Sequence, residues 1–157
     1  MKNVLNIGID VGSTTVKMVV TNSNKDILYS EYRRHFSDTK KTIKDLFKEV
    51  LEKFSDNKFT IVATGSGALT LSKYLDIPFI QEVIACKNSI KEYAPSTDVA
   101  IELGGEDAKI IYFDQTIEQR MNGSCAGGTG AFLDQMAVLL NTDTEGLNEL
   151  AKSGKTI

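Results

Sequence analysis

Two short segments of the chain combine an acidic residue, a glycine-bearing turn and a lysine at one spacing. In the first, GIDVGSTTVKMVV, these residues are Asp10, Gly12 and Lys17, and the segment AIELGGEDAKIIY repeats the pattern. Turns with so little side-chain bulk let their backbone N–H groups approach an anion closely. One such turn is typical of any tight hairpin, but the matched pair favours phosphate binding. The repeat therefore predicts two related lobes whose turns face each other and grip successive phosphates of a nucleotide.

The predicted roles follow from the residue types. Asp10 and Glu102 end predicted strands and are the candidate catalytic residues, since an acid placed there can orient an attacking water. Asp10 is also predicted to hold Mg²⁺ through water, because this ion keeps much of its hydration shell. The predicted phosphate-binding residues are Gly12, Ser13, Thr14, Thr15, Lys17, Gly104, Gly105, Glu106 and Asp107.

Hydrophobic periodicity predicts the elements that position these residues. Strands are predicted at 4–10, 15–21, 27–32, 59–64 and 79–81, and helices at 39–54, 68–75 and 82–93, with Asp38 as an N-cap. This order, βββαβαβα, predicts an α/β fold with one complete ribonuclease-H-like lobe over residues 1–96. Strands at 98–103, 108–113 and 116–121 and helices at 130–140 and 144–152 begin the pattern again. We therefore expect residues 97–157 to be the start of a second, truncated lobe.

Bulk composition excludes several function classes. The chain has 157 residues, of which 41% are hydrophobic and 25% charged, and a formal net charge of −3. This charge gives no reason to expect nucleic acid or an anionic membrane as a partner, and the longest apolar runs are only strand-sized. Two cysteines without a signal peptide predict reduced thiols and a cytoplasmic protein.

One of these cysteines lies in the glycine-rich segment MNGSCAGGTGAF, residues 121–132. A lone cysteine is usually a packing residue, so this segment is ambiguous without its context. The chain also contains Ala63-Thr64-Gly65-Ser66-Gly67 and a glutamate-led segment that begins at Glu82. With the two turns, these segments are spread along essentially the whole chain and support a family comparison.

GIDVGSTTVK and IELGGEDAK resemble the first and second phosphate motifs of the acetate kinase, sugar kinase, Hsp70 and actin superfamily. The cysteine-glycine segment is similar, more specifically, to that of the activator ATPases of 2-hydroxyacyl-CoA dehydratases, grouped with the ATPase subunits of benzoyl-CoA reductase. The resemblance implies an actin/Hsp70-type ATPase fold. It also implies an ATP- and Mg²⁺-dependent homodimer that passes a low-potential electron to a dehydratase or a related CoA-ester reductase. The electron donor would be a protein such as ferredoxin or flavodoxin.

The same resemblance implies a 4Fe–4S cluster at the dimer interface, with two cysteines from each subunit. Cys125 matches the first of these ligands, and its implied surroundings are Ala126, Gly127, Gly128, Thr129 and Gly130. The N-terminal N–H groups of the helix that follows would face this anionic cluster. The second ligand and the adenosine motif match no position in residues 1–157, and Glu102 stands where many relatives carry Asp. We therefore expect this chain alone to be colourless and to hydrolyse ATP poorly.

Alternative interpretations remain open at this point. A small-molecule kinase of the same superfamily, or an actin-like nucleotide-binding scaffold, would use the two turns but not Cys125. SGKT near the C-terminus is similar to a P-loop, but Glu149 stands where a P-loop needs glycine. Cys86 is expected to pack on the apolar side of a helix, and His35 is expected to be a solvated side chain.

Overall fold

The computed structural model describes residues 3–113, 118–122 and 127–155. Two compact units divide the chain, Met1–Pro95 and Ser96–Ile157. No helix in the described ranges is long and apolar enough to span a bilayer.

A four-stranded sheet forms the centre of the first unit. Its strands are β1 (Val4–Val11), β2 (Thr15–Thr21), β3 (Ile27–Arg34) and β4 (Lys58–Thr64), in the spatial order β3-β2-β1-β4. β1 pairs antiparallel with β2 and parallel with β4, and β2 pairs antiparallel with β3. The helices of this unit are α1 (Thr39–Lys53), α2 (Ala68–Leu75) and α3 (Glu82–Tyr93).

The core of the first unit lies between this sheet and α1 and α2. Strand alternation buries the apolar side chains of one sheet face, and these residues are Leu5, Ile7, Ile9, Val11, Val16, Met18 and Val20. Leu46 and Val50 of α1 and Ala68 of α2 are completely buried against them. Each large side chain buried in this way stabilises the fold by about 1.5–3 kcal/mol relative to exposure. Asp38 caps α1 as predicted, accepting a hydrogen bond from the Lys41 N–H at 3.0 Å.

A polar cluster joins β3 to α1. Arg33 donates two hydrogen bonds to the Glu49 carboxylate, at 2.8 and 3.1 Å, and the Tyr29 hydroxyl donates a third at 3.0 Å. The hydrogen bond from Arg33 is the main reason that the pKa of Glu49 lies below its usual value. Burial, followed by the hydrogen bond to Glu49, raises the pKa of Tyr29 to about 12. The cluster therefore holds a charged glutamate between the strand and the helix.

Replacing Glu49 by glutamine is expected to lower the free energy of unfolding by about 1 kcal/mol near neutral pH, since both partners are partly solvated. The pKa of Glu49 is lower in the folded chain. Its contribution is therefore present above the unfolded glutamate pKa of about 4.3 and is lost as the pH falls through the lower folded pKa. The free energies of unfolding of Glu49→Gln and of the unchanged chain, measured with urea, should therefore become equal in acid. Glu52→Gln is the matched control, because Glu52 lies on the same helix with only an exposed ion pair at 3.8 Å. Equal losses in the two variants would contradict the expectation.

The strand predicted at 79–81 does not form. Only one parallel bridge, between Ala63 and Phe79, extends the sheet beyond β4. The Ala63 N–H donates to the Pro78 carbonyl and the Ile80 N–H donates to the Ala63 carbonyl, both at 2.9 Å. Proline has no N–H with which to lengthen this ladder, and Gln81 is already the N-cap of α3. The order in this unit is therefore βββαβαα, with a bridge in place of the fifth strand.

The second unit contains a three-stranded antiparallel sheet and two helices. β5 (Val99–Leu103), β6 (Ala108–Tyr112) and β7 (Glu118–Met121) lie in that order, and α4 (Gly130–Leu139) and α5 (Thr144–Lys152) follow. The start of the strand predicted at 116–121 lies outside the described residues. Because α5 is helical up to the SGKT sequence, the strand that a P-loop requires before it is excluded.

Equivalent strand positions differ in burial between the two units. The spacing that aligns Asp10 with Glu102 also aligns Ile9 with Ile101, yet Ile9 is 1% exposed and Ile101 is 70% exposed. In the first unit Ile9 belongs to a core that includes side chains of α1 and α2, whereas in the second unit Ile101 stays exposed although α4 and α5 follow the sheet. The face of β5 that carries Ile101 is therefore apolar and exposed to solvent in this chain.

Candidate functional site

The two predicted turns have the same backbone geometry. In the first unit the Gly12 N–H donates to the Thr15 carbonyl at 2.9 Å, and in the second the Gly104 N–H donates to the Asp107 carbonyl at 2.8 Å. Each turn connects two antiparallel strands. The repeat visible in the sequence is thus also a repeat in three dimensions.

Each acid is paired with the lysine of its own turn. Asp10 lies opposite Lys17 in the β1–β2 register, and their side chains form an ion pair at 2.7 Å. Glu102 lies opposite Lys109 in the β5–β6 register at 3.3 Å, where the Lys109 side chain is only 9% exposed. The sequence predicted Lys17, but not Lys109, as a phosphate-binding residue. In the structure Lys17 and Lys109 each form an ion pair with the carboxylate opposite, near the end of the strand that carries it.

The N–H groups at the tips of the turns are the ones available to donate hydrogen bonds to a phosphate. No described residue accepts a hydrogen bond from the N–H of Ser13, Thr14, Gly105 or Glu106. The N–H groups of Gly12 and Gly104 are not available in this way, because they form the hydrogen bonds that close the turns. Thr15 is buried, which leaves the exposed Ser13 and half-buried Thr14 as the hydroxyls nearest to solvent in the first turn.

His35 is buried against the first turn, so the expectation of a solvated side chain was wrong. Its Nε2 lies 3.3 Å from the Gly12 carbonyl, and its backbone N–H donates to the Thr14 carbonyl at 3.2 Å. The histidine supports the turn from the end of β3. The register of the sheet accounts for this contact, because β3 pairs with β2 so that Arg34 lies opposite Thr15. Continuing that register by one residue places His35 beside Thr14.

A third segment, Ala63–Gly67, packs against the acid of the first turn. Gly65 has a φ of +95°, and a Cβ there would collide with the Asp10 carboxylate and lie 2.5 Å from the Val11 carbonyl oxygen. The Gly67 N–H donates to the same carbonyl at 2.8 Å. Only glycine allows this approach of the turn after β4 to the end of β1. Sequence reasoning identified the segment as a family feature and assigned it no role.

Two buried oxygens at this junction lack hydrogen-bond partners among the described residues, Asp10 Oδ1 and Thr64 Oγ1. Asp10 and Thr64 are register partners at the carboxyl ends of the parallel strands β1 and β4. Ligands in α/β proteins bind beyond the carboxyl ends of such strands. An open groove of about 610 Å³ reaches this point, and Asp10, Lys17 and Thr64 all line it.

The oxygen donors beside the first turn suit a hydrated Mg²⁺ ion that is bound together with a nucleotide. Oxygen donors suit this ion, and Asp10 Oδ1 supplies a buried one that no described residue satisfies. No group of three or more His, Cys, Asp or Glu in the described ranges is arranged to hold a metal ion. A site of this kind therefore relies on phosphate oxygens and water for most of the coordination.

The glycine-rich cysteine segment begins and ends on the second turn. Cys125 and Ala126 lie outside the described residues. Before them, Asn122 accepts a hydrogen bond from the Ala108 N–H at 2.8 Å. After them, the Gly130 and Ala131 N–H groups donate to the Gly104 and Gly105 carbonyls at 3.0 and 2.7 Å.

These contacts change the expected role of the start of α4. Its first N–H groups were expected to face an anionic cluster, but two of them are bonded to carbonyls of the turn. Gly127 and Gly128 are exposed, and Thr129 is buried with 1% exposure. Gly128 has a φ of +89°, and no described residue lies near the position of an added Cβ, so this glycine serves the bend of the chain. The segment is thus fixed to the second turn at both of its described ends.

Comparison with known proteins identifies relatives over nearly the whole chain. The sequence model of the BadF/BadG/BcrA/BcrD ATPase family matches residues 7–156. The (R)-2-hydroxyglutaryl-CoA dehydratase activating ATPase of Acidaminococcus fermentans is 31% identical over 162 residues, which cover 99% of this chain and 61% of that protein. The activator of lactoyl-CoA dehydratase of Anaerotignum propionicum is 35% identical over 150 residues, which cover 92% of this chain and 57% of that protein.

A solved structure supports the fold. The activator of the 2-hydroxyisocaproyl-CoA dehydratase from Clostridium difficile, with bound ADPNP, superimposes with a TM-score of 0.79 and 28% identity. The match covers 97% of this chain and 58% of that one. The expected α/β fold of actin/Hsp70-type ATPases is thereby confirmed. The chain spans about three fifths of the length of the curated relatives that it matches.

Proposed function

Because this chain belongs to the BadF/BadG/BcrA/BcrD ATPase family, we propose that the complete protein is an ATP-dependent activator of a 2-hydroxyacyl-CoA dehydratase or a related CoA-ester reductase. The observation that carries the proposal is that the two acid–lysine turns share an equivalent backbone hydrogen bond and an equivalent ion pair. The dehydratase activators among the relatives, one of them with bound ADPNP, support the same assignment.

The first turn contributes a fixed carboxylate and free N–H donors. Asp10, held by Lys17, would accept hydrogen bonds from the water bound to Mg²⁺, and the N–H groups of Ser13 and Thr14 would donate hydrogen bonds to phosphate oxygens. In the second turn, the backbone N–H groups of Gly105 and Glu106 would bind phosphate oxygens in the same way. Its acid, Glu102, is held by Lys109. Bound Mg²⁺ would neutralise phosphate charge. Asp10 and Glu102 are the candidates for orienting the attacking water.

Electron transfer forms the second half of the proposal. A homodimer of the complete protein would hold one 4Fe–4S cluster, with Cys125 of each subunit as one of its ligands. Hydrogen bonds at Asn122, Gly130 and Ala131 connect this segment to the second turn, which supports a link between nucleotide binding and the cluster. A ferredoxin or flavodoxin supplies the electron, and the dehydratase receives it in the cytoplasm.

The test uses the complete gene product, including any residues that the gene encodes after Ile157. After anaerobic iron–sulfur reconstitution, we expect a brown dimer with cluster absorbance that hydrolyses ATP. Cys125→Ser is expected to remove the cluster absorbance, whereas Cys86→Ser, on the partly buried α3, is the matched control and should retain it. A colourless complete protein, or equal loss in the two variants, would contradict the proposal.

A further inference from the structure

Thr64 carries the second unpaired buried oxygen beside the first turn, and the proposed function gives this residue no role. Its Oγ1 is buried and has no hydrogen-bond partner among the described residues, and the same is true of Oδ1 of Asp10. Leaving a hydroxyl buried and unpaired costs stability, on the order of 1–3 kcal/mol. A side chain kept under such a cost in an ordered strand is a candidate for ligand binding.

The placement of Thr64 is set by its strand. Thr64 ends β4 directly beside Asp10 at the end of β1, and neighbouring strands lie about 4.8 Å apart. Both residues line one open groove, and their two unpaired oxygens are buried beneath its surface. Gly65, which follows Thr64, makes the close approach to Asp10 possible because it has no Cβ.

We propose that Thr64 is a positioning residue of the nucleotide site, whose hydroxyl acts with Asp10 Oδ1 to hold the water shell of the Mg²⁺–nucleotide complex. This inference rests on the proposed function and adds a residue from β4 to a site that the sequence assigned to the two turns alone. The carboxylate accepts hydrogen bonds only, whereas the hydroxyl both donates and accepts. Together they orient a bound water more strictly than the carboxylate does alone.

Valine and serine substitutions separate this role from packing. Thr64→Val keeps the shape and removes the hydroxyl, so it should leave the unfolding midpoint unchanged or raise it, because an unsatisfied polar atom has been removed. It should weaken binding of Mn²⁺ with ADPNP by about 10- to 100-fold, the value of hydrogen bonds to charged groups. Thr64→Ser should restore binding to within about threefold of the unchanged protein, since the hydroxyl is retained.

Thr60→Val is the matched control. Thr60 lies on the same strand, and its hydroxyl donates to the exposed Asn6 Oδ1 at 2.7 Å, away from the carboxyl end. Electron paramagnetic resonance of Mn²⁺ in the presence of ADPNP measures binding by the complete gene product without requiring turnover. Thermal unfolding of the same samples gives the stability readout.

Three outcomes overturn the inference. If Thr64→Val binds Mn²⁺ with ADPNP as tightly as Thr60→Val does, the hydroxyl has no role in the site, while the proposed function stands. If Thr64→Val instead lowers the unfolding midpoint and Thr64→Ser does not restore binding, the residue is structural. If the unchanged complete protein does not bind Mn²⁺ with ADPNP, the proposed function fails, and this inference fails with it.

Discussion

Gly65→Ala is expected to lower the free energy of unfolding of the first unit by about 2–5 kcal/mol, through backbone strain and overpacking. The residue has a φ of +95°, which an L side chain rarely adopts, and its new Cβ would lie 2.5 Å from the Val11 carbonyl oxygen. The neighbouring Asp10 carboxylate would also have to move. Because the colliding carbonyl belongs to a central strand, the collision cannot be relieved by rotating a side chain.

Two control variants divide this effect into its parts. Gly128 has a similar φ of +89°, but no described residue lies within 4 Å of an added Cβ, so Gly128→Ala reports the conformational cost alone, about 1 kcal/mol. Gly12→Ala lies in the first unit, with its Cβ at an ordinary 3.4 Å from the Thr15 carbonyl oxygen. Urea unfolding followed by circular dichroism measures all three. If Gly65→Ala lowers the free energy of unfolding no more than Gly128→Ala does, then β1 shifts to accommodate the new methyl group.

Asp10→Asn is expected to lower the ATP hydrolysis rate of the complete gene product by about 100-fold or more, which is the scale of losing one preorganised electrostatic group. Asparagine keeps the size of the side chain but removes the charge that Oδ1 presents to Mg²⁺. The free energy of unfolding should change by less than about 1 kcal/mol, because an unsatisfied buried carboxylate oxygen is itself unfavourable. Lys17, whose side chain is 39% exposed, stays solvated after the change.

A Mg²⁺ titration of the hydrolysis rate tests the assignment. The variant should need more Mg²⁺ for half-maximal activity, since the carboxylate no longer attracts the ion. Asp45→Asn is the control, because Asp45 also pairs with a lysine, Lys41 at 2.6 Å, but on the surface of α1. Unchanged rates in Asp10→Asn would remove Asp10 from the chemistry and leave the turn as a structural hairpin.

Local patterns were sufficient for most of the elements. The predicted bounds of β2, α2 and α5 agree with the structure, because each is delimited by turn or capping residues within a few positions. The strand predicted at 79–81 was wrong because Pro78 limits the ladder to one bridge. The acid–lysine pairing was within reach of the sequence, since a hairpin closed at Gly12 and Thr15 brings Asp10 opposite Lys17.

The sequence by itself determined the two acid–glycine–lysine turns, the strand and helix order apart from the strand predicted at 79–81, and the glycines of the cysteine segment. The tertiary structure decided the burial of His35, the partners of the α4 N–H groups and the orphaned oxygens of Asp10 and Thr64. The physical reason is the range of the interactions. Periodicity, capping and turn preferences act over a few neighbouring residues, whereas the hydrogen bonding of a buried atom depends on groups that the fold brings from distant positions. Asp10 and Thr64 illustrate this, since they are far apart in the chain and adjacent only in the sheet.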